Sequence, residues 1–382
     1  MNVTCPQPDL NRYPGLTQVL DCLPGARLVG GCVRDWLAGQ SVSDIDLATP
    51  DPPDQVAQAL ARAGLRAIPT GMAHGTVTAL AGGASFEITT LRRDVATDGR
   101  HAVVAFTDDW LEDAARRDFT INAMSMDRAG KVFDYFGGQA DLAAGVVRFV
   151  GDAASRITED YLRILRYFRF FARYNPAAPD ADAVTAIAAH AEGLARLSVE
   201  RVWSELKRIL QAQAPDCALA LMAELGVLDR LLPGGRLAPV DDLPVDPLLR
   251  LSALWPSGPA PLNLSSAEAD RLALLQQDAP ADAASDDDLR RALADTAPDI
   301  LIGRAWRQRR GEALRDRIAA LPVPVFPLAG RDLMAQGLKP GPDLGRALAR
   351  LRQTWLNSGC RLDRAALLDV LNTHFPSDVP KV

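Results

Sequence analysis

Residues 26–46 read ARLVGGCVRDWLAGQSVSDID, and what the chain becomes turns on the order of features in that stretch. An apolar, strand-like run over 26–29 feeds Gly30-Gly31, and a helix over 33–37 opens at once with Val33-Arg34-Asp35 and stops at Gly39. Two glycines at a strand-to-helix junction let a ligand approach the backbone closely, and the free N–H groups of a helix start attract phosphate. Taken alone, the pair fits a plain turn equally well. Beyond Asp35 the chain gives Asp44-Ile45-Asp46 inside a strand predicted over 41–48, where residues i and i+2 project from one face. Converging carboxylates raise each other's pKa unless a cation sits between them. Hard oxygen ligands of this kind suit Mg²⁺, especially Mg²⁺ shared with a triphosphate. A lone DxD is more often a solvated strand face; the glycine pair upstream reverses that balance.

Outward from this stretch, further β-type runs fall at 75–80, 84–90, 102–106 and 131–134, with a helix over 54–63 and a polar loop at 92–101, RRDVATDGRH. From about 155 the periodicity is helical: 157–173, 181–196, 198–211, 215–225, 247–254, 266–277, 286–294, 300–320, 330–336, 341–358 and 363–371. Pro/Gly-rich connections lie at 231–246, 256–261 and 321–327. The fold class expected is an α+β N-terminal domain, a small sheet with helices, followed by an all-α region. The expected domains are 22–150, 151–240 and 241–382. Residues 1–20 give no reading.

Composition narrows the function classes. In 382 residues, 48% are apolar and 24% charged, which allows a packed core and excludes a disordered chain. A net charge of −6 argues against nucleic-acid binding through overall positive charge, though not against a local basic groove. The five cysteines form no CxxC and imply neither a disulfide framework nor a zinc site. No basic, apolar leader opens the chain and no 18 apolar residues run together, so a cytoplasmic protein without a membrane span is expected.

Four segments together carry a family resemblance. LVGGCVRDWLAG…SDIDLAT, RRDFTINAM at 116–124, EDYLRILRYFRF at 159–170 and SVERVWSEL at 198–206 resemble, in order and spacing, the motifs of class II nucleotidyltransferases. That family comprises the bacterial tRNA CCA-adding enzymes and poly(A) polymerases. The likeness covers roughly 25–235. It implies a head with a polymerase-β-like palm followed by a helical neck, body and tail, with 241–382 as a tRNA-binding region. It implies that Asp44 and Asp46 hold catalytic Mg²⁺ and that Gly31 and Arg34 contact a triphosphate. It implies further that Arg117 and Asp118 contact the incoming nucleotide and that Asn122 supports the site. Glu87, in FEITT, is a third carboxylate, a brace for the mobile loop or an exposed strand residue. Arg100 is a possible supporting residue of the loop 93–101.

The stretch 159–173 is informative by itself. Polar residues 160, 163, 166 and 169 recur every third position, so on a continuous helix the stripe winds by about 60° per step. Asp160 and Arg163 then lie side by side, with Arg169 nearly opposite Asp160. The plain reading is an intrahelical ion pair worth a few tenths of a kcal/mol. By resemblance the two are a protein template: an ionised Asp only accepts hydrogen bonds and an Arg only donates them. Cytosine and adenine offer an amine donor beside a ring-nitrogen acceptor; guanine and uracil offer the reverse. The pair thus admits CTP and ATP, leaving buried groups unpaired for the wrong base. Arg166 and Arg169 bind nucleotide or orient the pair.

The resemblance implies template-independent addition of CCA to a tRNA 3′ end with release of pyrophosphate. Poly(A) synthesis or partial CC- or A-addition is the alternative, and a catalytically inactive RNA-binding protein the remote one. TGMAHGTVT at 70–78 resembles the G-x-x-H-G-T strand of CCA-adding enzymes, and family members that add only two cytidines lack a loop such as 93–101. His74, in that strand, reads as a structural loop histidine. No protein partner is expected. The Arg-dense 304–317, RAWRQRRGEALRDR, is either a tRNA contact or a solvated helix face.

Overall fold

A computed structural model describes residues 10–42, 44–72, 75–97, 102–174 and 178–374. The chain divides into two compact units, Met1–Leu237 and Ala238–Val382.

The first unit opens with α1 (Leu16–Cys22), β1 (Arg27–Val29), α2 (Gly31–Leu37), β2 (Asp46–Thr49) and α3 (Pro53–Arg62). Then come β3 (Arg66–Gly71), β4 (Thr76–Ala81), β5 (Ala84–Thr90) and a separate hairpin of β6 (Arg92–Thr97) and β7 (Ala102–Phe106). After α4 (Trp110–Ala115) follow β8 (Ser125–Met126), β9 (Val132–Phe133) and α5 (Gly138–Ala144). Among the described residues the main sheet runs β3-β4-β5-β2-β1-β8-β9. Its β2–β5 pair is parallel and sets Asp46 opposite Glu87. One face is sealed by Leu16, Val19 and Leu20 of α1 and by Val56 and Leu60 of α3, packed with Leu28, Leu47, Val77 and Ile88 of the strands.

Several differences from the sequence reading have local causes. β3 carries Pro69 and an irregular register between Ile68 and Gly71, features confined to sheet edges, and it is the edge strand. It therefore lacks the pattern of a central strand. The strand expected over 41–48 begins only at Asp46, so Asp44 lies in the approach to it. Alternation still holds there, with Ile45 buried between two exposed aspartates. The loop expected over 92–101 begins as β6, a six-residue strand paired with β7; α1, α4, α5 and the two-residue β8 were not expected.

Beyond the sheet come α6 (Ala153–Glu159), α7 (Leu162–Tyr174), α8 (Ala181–His190), a 3₁₀ turn at Ala191–Arg196, α9 (Val199–Leu210), α10 (Asp216–Glu224) and α11 (Val227–Leu231). The continuous helix expected over 157–173 is two helices. Asp160 is extended (φ −155°, ψ 106°), and its Oδ1 accepts the Leu162 N–H at 3.1 Å, so it caps α7. Aspartate is a favoured residue for that role. The core of α7 is aromatic. Phe170 meets Phe119 edge-on at 5.4 Å, and Tyr167 stacks on Phe149 at 5.9 Å, which locks this helix to the segment that follows α4.

The second unit is helical: α12 (Pro247–Leu254), α13 (Ser266–Leu275), α14 (Asp286–Leu293), α15 (Pro298–Arg307), α16 (Glu312–Ala320), α17 (Gly330–Ala335), α18 (Pro342–Asn357) and α19 (Arg364–His374). Ser265 with Glu268, and Ser285 with Asp288, form capping boxes that start α13 and α14. The single helix expected over 300–320 breaks at 308–311, where Arg309 has a left-handed φ of 56° and Gly311 starts the next helix.

Gly193 shows how closely the α6–α7 break is packed. A Cβ there would come within 1.9 Å of the Tyr161 ring, next to Asp160. Gly193→Ala is expected to destabilise the first unit by about 1–3 kcal/mol. Scanning calorimetry checks this as a fall of several degrees in the corresponding transition.

Candidate active site

The junction of β1 and α2 sets the floor of the site. Gly30 has φ +71°, and an added Cβ would sit 2.9 Å from Nη1 of Arg117. Only glycine suits this turn, which keeps the start of α2 bare. From that helix Arg34 reaches inward: Nε donates to Asp35 at 2.8 Å and Nη1 to Oδ1 of Asn122 at 2.5 Å. Asn122 Nδ2 in turn donates to Oδ1 of Asp118 at 2.9 Å, and Asp118 Oδ2 accepts from Arg166 of α7 at 2.7 Å. Although burial acts to raise it, Asp118 is held below the ordinary carboxylate value by Arg166 and by the Asn122 hydrogen bond.

A cavity of about 870 Å³ opens above this chain. It brings together eleven of the thirteen residues singled out from the sequence: Gly31, Arg34, Asp44, Asp46, Arg117, Asp118, Asn122, Asp160, Arg163, Arg166 and Arg169. Glu87 does not line it but sits on β5 opposite Asp46. Arg100 falls in 98–101, outside the described residues, as does His74. Among the described residues the lining includes nine arginines against five aspartates, so a chain of net charge −6 presents one locally basic cleft.

The carboxylates at the cleft behave as a cation-seeking group. Asp46 is raised above its ordinary value, first by desolvation, then by Glu87; Arg117 opposes this and Asp44 adds to it. Its oxygens, with those of Asp44, are the hard donors a divalent cation takes. Among the described residues no three His, Cys, Asp or Glu surround one point closely enough to cage an ion alone. An ion held by two carboxylates and completed by substrate oxygens and water is the habit of Mg²⁺, and the residues present fit it.

Acidic residues position the arginines. Asp113 receives Arg116 at 2.7 Å and Arg117 at 3.1 Å, and these two guanidiniums hold it below its ordinary value against burial. Arg163 donates to Glu159 at 2.6 Å and to the carbonyls of Arg156 and Arg116 at 3.0 and 3.3 Å. Buried Glu205 receives Arg169 and Arg208, each at 3.2 Å. The expected Asp160–Arg163 ion pair does not form, because Asp160 lies outside the helix: its Oδ2 accepts from Arg201 of α9 at 2.7 Å. Arg163, Arg166 and Arg169 nevertheless line the same cavity despite the winding of their stripe.

Arg116, Arg201 and Arg208 also line the cavity and were given no role from the sequence. For the α9 residues a signal existed: 201, 205 and 208 share one face of a helix by i, i+4, i+7 spacing. The cysteines supply no chemistry here. Cys32 is buried, its thiol pushed up to about 11 by burial.

In the second unit the Arg-dense 304–317 turns inward at its start and is a solvated face further on. Arg304 is buried and donates to the Leu274 carbonyl and Gln277; Arg307 donates to the carbonyls of Gln276 and Gln277. Arg309 pairs with Asp242, and Arg317 with Asp286. Among the described residues no helix is long and apolar enough to cross a membrane.

Residues 26–148 match the family described as "Poly A polymerase head domain", and residues 178–237 match "Probable RNA and SrmB- binding site of polymerase A". The chain is 37% identical to the mitochondrial CCA tRNA nucleotidyltransferase 1 of Mus musculus, with 90% of this chain and 86% of that protein covered. It is 30% identical to a CCA-adding enzyme of Lactobacillus delbrueckii subsp. bulgaricus, with 91% and 93% covered. The crystal structure of a Bacillus stearothermophilus CCA-adding enzyme in complex with CTP superposes with a TM-score of 0.76 at 27% identity, over 93% of this chain and 96% of that one.

The charge cluster can be checked directly. Carboxyl NMR titration is expected to place the Asp46 midpoint above the ordinary value of about 3.9. Glu87→Gln removes a like charge, so the midpoint then moves to lower pH. An unmoved midpoint would separate Glu87 from the cluster.

Proposed function

This chain belongs to the class II nucleotidyltransferase family of CCA-adding enzymes, and from that membership we propose the reaction it performs. It adds C, C and A in turn to the 3′ end of tRNA without a nucleic-acid template, using CTP and ATP and releasing pyrophosphate. The observation that carries this reading is one cleft in which two carboxylates, Asp44 and Asp46, share the lining with Arg34, Arg117, Asp160 and Arg163. A metal-and-phosphate end and a base-reading end thereby belong to one cavity.

Family members use divalent metal ions, and in this chain we assign Mg²⁺ to Asp44 and Asp46, with Glu87 as the neighbour that keeps Asp46 hungry for a cation. When bound, such ions neutralise the triphosphate and make the attacking 3′-hydroxyl of the RNA a better nucleophile. Arg34 and the bare start of α2 hold the triphosphate, where guanidinium and backbone N–H donors meet phosphate oxygens without rearranging. Arg117, fixed by Asp113, and Asp118 contact the nucleotide; Asn122 keeps Arg34 aimed.

Base choice rests on Asp160 and Arg163. Arg201 and the Leu162 N–H take part of the accepting capacity of Asp160, and an ionised carboxylate has about four lone-pair sites, so places remain for an exocyclic amine. Arg163 gives Nη1 to Glu159 and to the Arg156 carbonyl, and one Nη2 hydrogen to the Arg116 carbonyl. Its Nε–H and second Nη2 hydrogen remain for a ring nitrogen. CTP and ATP satisfy this order; GTP and UTP bring donor to donor and acceptor to acceptor. Arg166 and Arg169 bind nucleotide or hold the pair in place. We divide the chain into a catalytic head at 22–150, a nucleotide-selecting neck at 151–240 and an RNA-binding region at 241–382. We place the enzyme in the cytoplasm; fractionation of source cells tests that.

Incubation with tRNA lacking its terminus is expected to give two additions with CTP alone, a halt at three with CTP and ATP, and none with GTP and UTP. A long ladder with ATP alone would mean poly(A) synthesis instead. Asp46→Asn should abolish addition while tRNA binding persists; loss of both would mean misfolding. Asp160→Ala is expected to cost about 10–100-fold with CTP and ATP, the value of one to three kcal/mol of buried hydrogen bonding. It should also narrow the gap to GTP and UTP, which single-nucleotide extension kinetics read directly.

A further inference from the structure

Beside the catalytic cleft lies a second cavity of about 570 Å³, to which no role has been attached. The two share a wall made of Arg34, Arg169, Phe170 and Arg208. On its own side the second lobe is lined by Gln40, beyond the end of α2, by Arg173 near the end of α7, and by Gln211 and Gln213 beyond α9. The wall is held by the Phe170 ring, whose centroid lies 4.8 Å from the guanidinium of Arg34 and 4.6 Å from that of Arg169. Such contacts stabilise by about 0.5–2 kcal/mol each.

The two lobes differ in charge. The catalytic lobe is lined by five aspartates as well as arginines, whereas among the described residues no carboxylate lines the second lobe. Its four guanidiniums share two carboxylates placed behind them: Asp35 serves Arg34 at 2.8 Å and Arg173 at 3.1 Å, and Glu205 serves Arg169 and Arg208, each at 3.2 Å. Two positive charges are left uncompensated, with guanidinium and carboxamide N–H donors around them. Burial, with the neighbouring Arg166 and Arg208, pushes Arg169 down to about 10 even though Glu205 opposes it. An anion in the lobe relieves that crowding. A nucleobase is a poorer occupant, since Phe170 is already engaged by two guanidiniums.

Position identifies the anion. Arg163 and Arg173 are ten residues apart on α7, or about 15 Å along its axis, so the second lobe lies at the end of the cleft remote from the base-reading pair. Arg34, the residue assigned to the triphosphate, belongs to both lobes. We infer that the second lobe is a binding site for inorganic pyrophosphate, which passes across Arg34 and Arg169 into it when the α–β phosphate bond breaks. The product then leaves without crossing the base or the RNA end, and its displacement from the reacting atoms opposes the reverse reaction. This inference rests on the nucleotidyl-transfer reading above.

The test is calorimetric, on the full chain with Mg²⁺ present and the catalytic lobe saturated by a CTP analogue bearing a methylene bridge between its α and β phosphorus atoms. Inorganic pyrophosphate is titrated in. The expected result is one further equivalent bound, weakened about tenfold by Arg173→Gln and by Gln213→Ala, the scale of one charge-assisted hydrogen bond. Analogue affinity and the initial rate of CCA synthesis should stay within about twofold. Gln213→Ala leaves every ion pair of Arg173 intact, so its effect stands even if Arg173→Gln loosens the fold. No uptake by the loaded enzyme overturns the inference, as does uptake that neither substitution weakens. Weakened tRNA binding in place of weakened pyrophosphate binding also overturns it and makes the lobe an RNA-phosphate subsite. Because the readout is binding, a chain that adds no nucleotide fails the proposed function without imitating any of these outcomes.

Discussion

Asp118 is a buried carboxylate on which the geometry of the first unit converges. Its Oδ1 accepts the Phe119 N–H and the Asn122 amide, each at 2.9 Å, and its Oδ2 receives Arg166 from α7. Taking an ion pair out of water is costly unless the remaining hydrogen-bonding capacity is filled, and here it is filled by two further donors. Since Asn122 also receives Arg34, one carboxylate fixes both α7 and the cation at the start of α2. Next to it, the aromatic contacts of Phe119 with Phe149 and Phe170 pack the adjoining backbone. The phosphate-facing and base-facing ends of the cleft are therefore not independent: a shift of α7 is felt at Arg34 through three hydrogen bonds.

The same economy governs the cleft's charge. A surface with nine arginines would expand by self-repulsion, yet five of them are tied to carboxylates that do not line the cavity. Asp113 holds Arg116 and Arg117, Glu159 holds Arg163, and Glu205 holds Arg169 and Arg208. The donors are thereby aimed before any anion arrives. Preorganised donors in a partly desolvated site cost nothing to reorganise during reaction, which makes them effective at stabilising developing charge.

The sheet around 26–46 and the helices after 150 were legible because periodicity reports burial and the protein buries in the usual way there. The cleft residues were legible because family-like spacing places them, not because single residues advertise themselves. What stayed hidden shares one cause: local rules overridden by a tertiary partner. β3, half-exposed and carrying Pro69, is held as a strand by its one neighbour β4. The 300–320 helix breaks where Arg309 turns left-handed and bonds to Asp242 and the Pro239 carbonyl. The arginines of 304–317 satisfy backbone carbonyls and acids that the sequence does not show to be near. Arg201 was missed since its partner Asp160 becomes a neighbour only after folding, whereas the Glu205–Arg208 pair was readable from its i,i+3 spacing.

The break at Asp160 has a consequence for base choice. Inside a helix its side chain would lean back toward the N-terminus over the preceding turn, and its backbone would be committed to the helical ladder. Extended, the residue instead uses one oxygen to cap α7 and the other to meet Arg201, so the carboxylate is oriented by two elements at once. Capping ties its position to the formation of α7 itself, and the Arg201 bond ties it to α9. A base that bonds to this carboxylate competes with neither the helix nor the core; it takes only the lone pairs these partners leave. Selectivity in the proposed reading then comes from a group whose direction is set by the stability of two helices, and beside it Tyr161 and Gly193 are packed so closely that no methyl group fits between them.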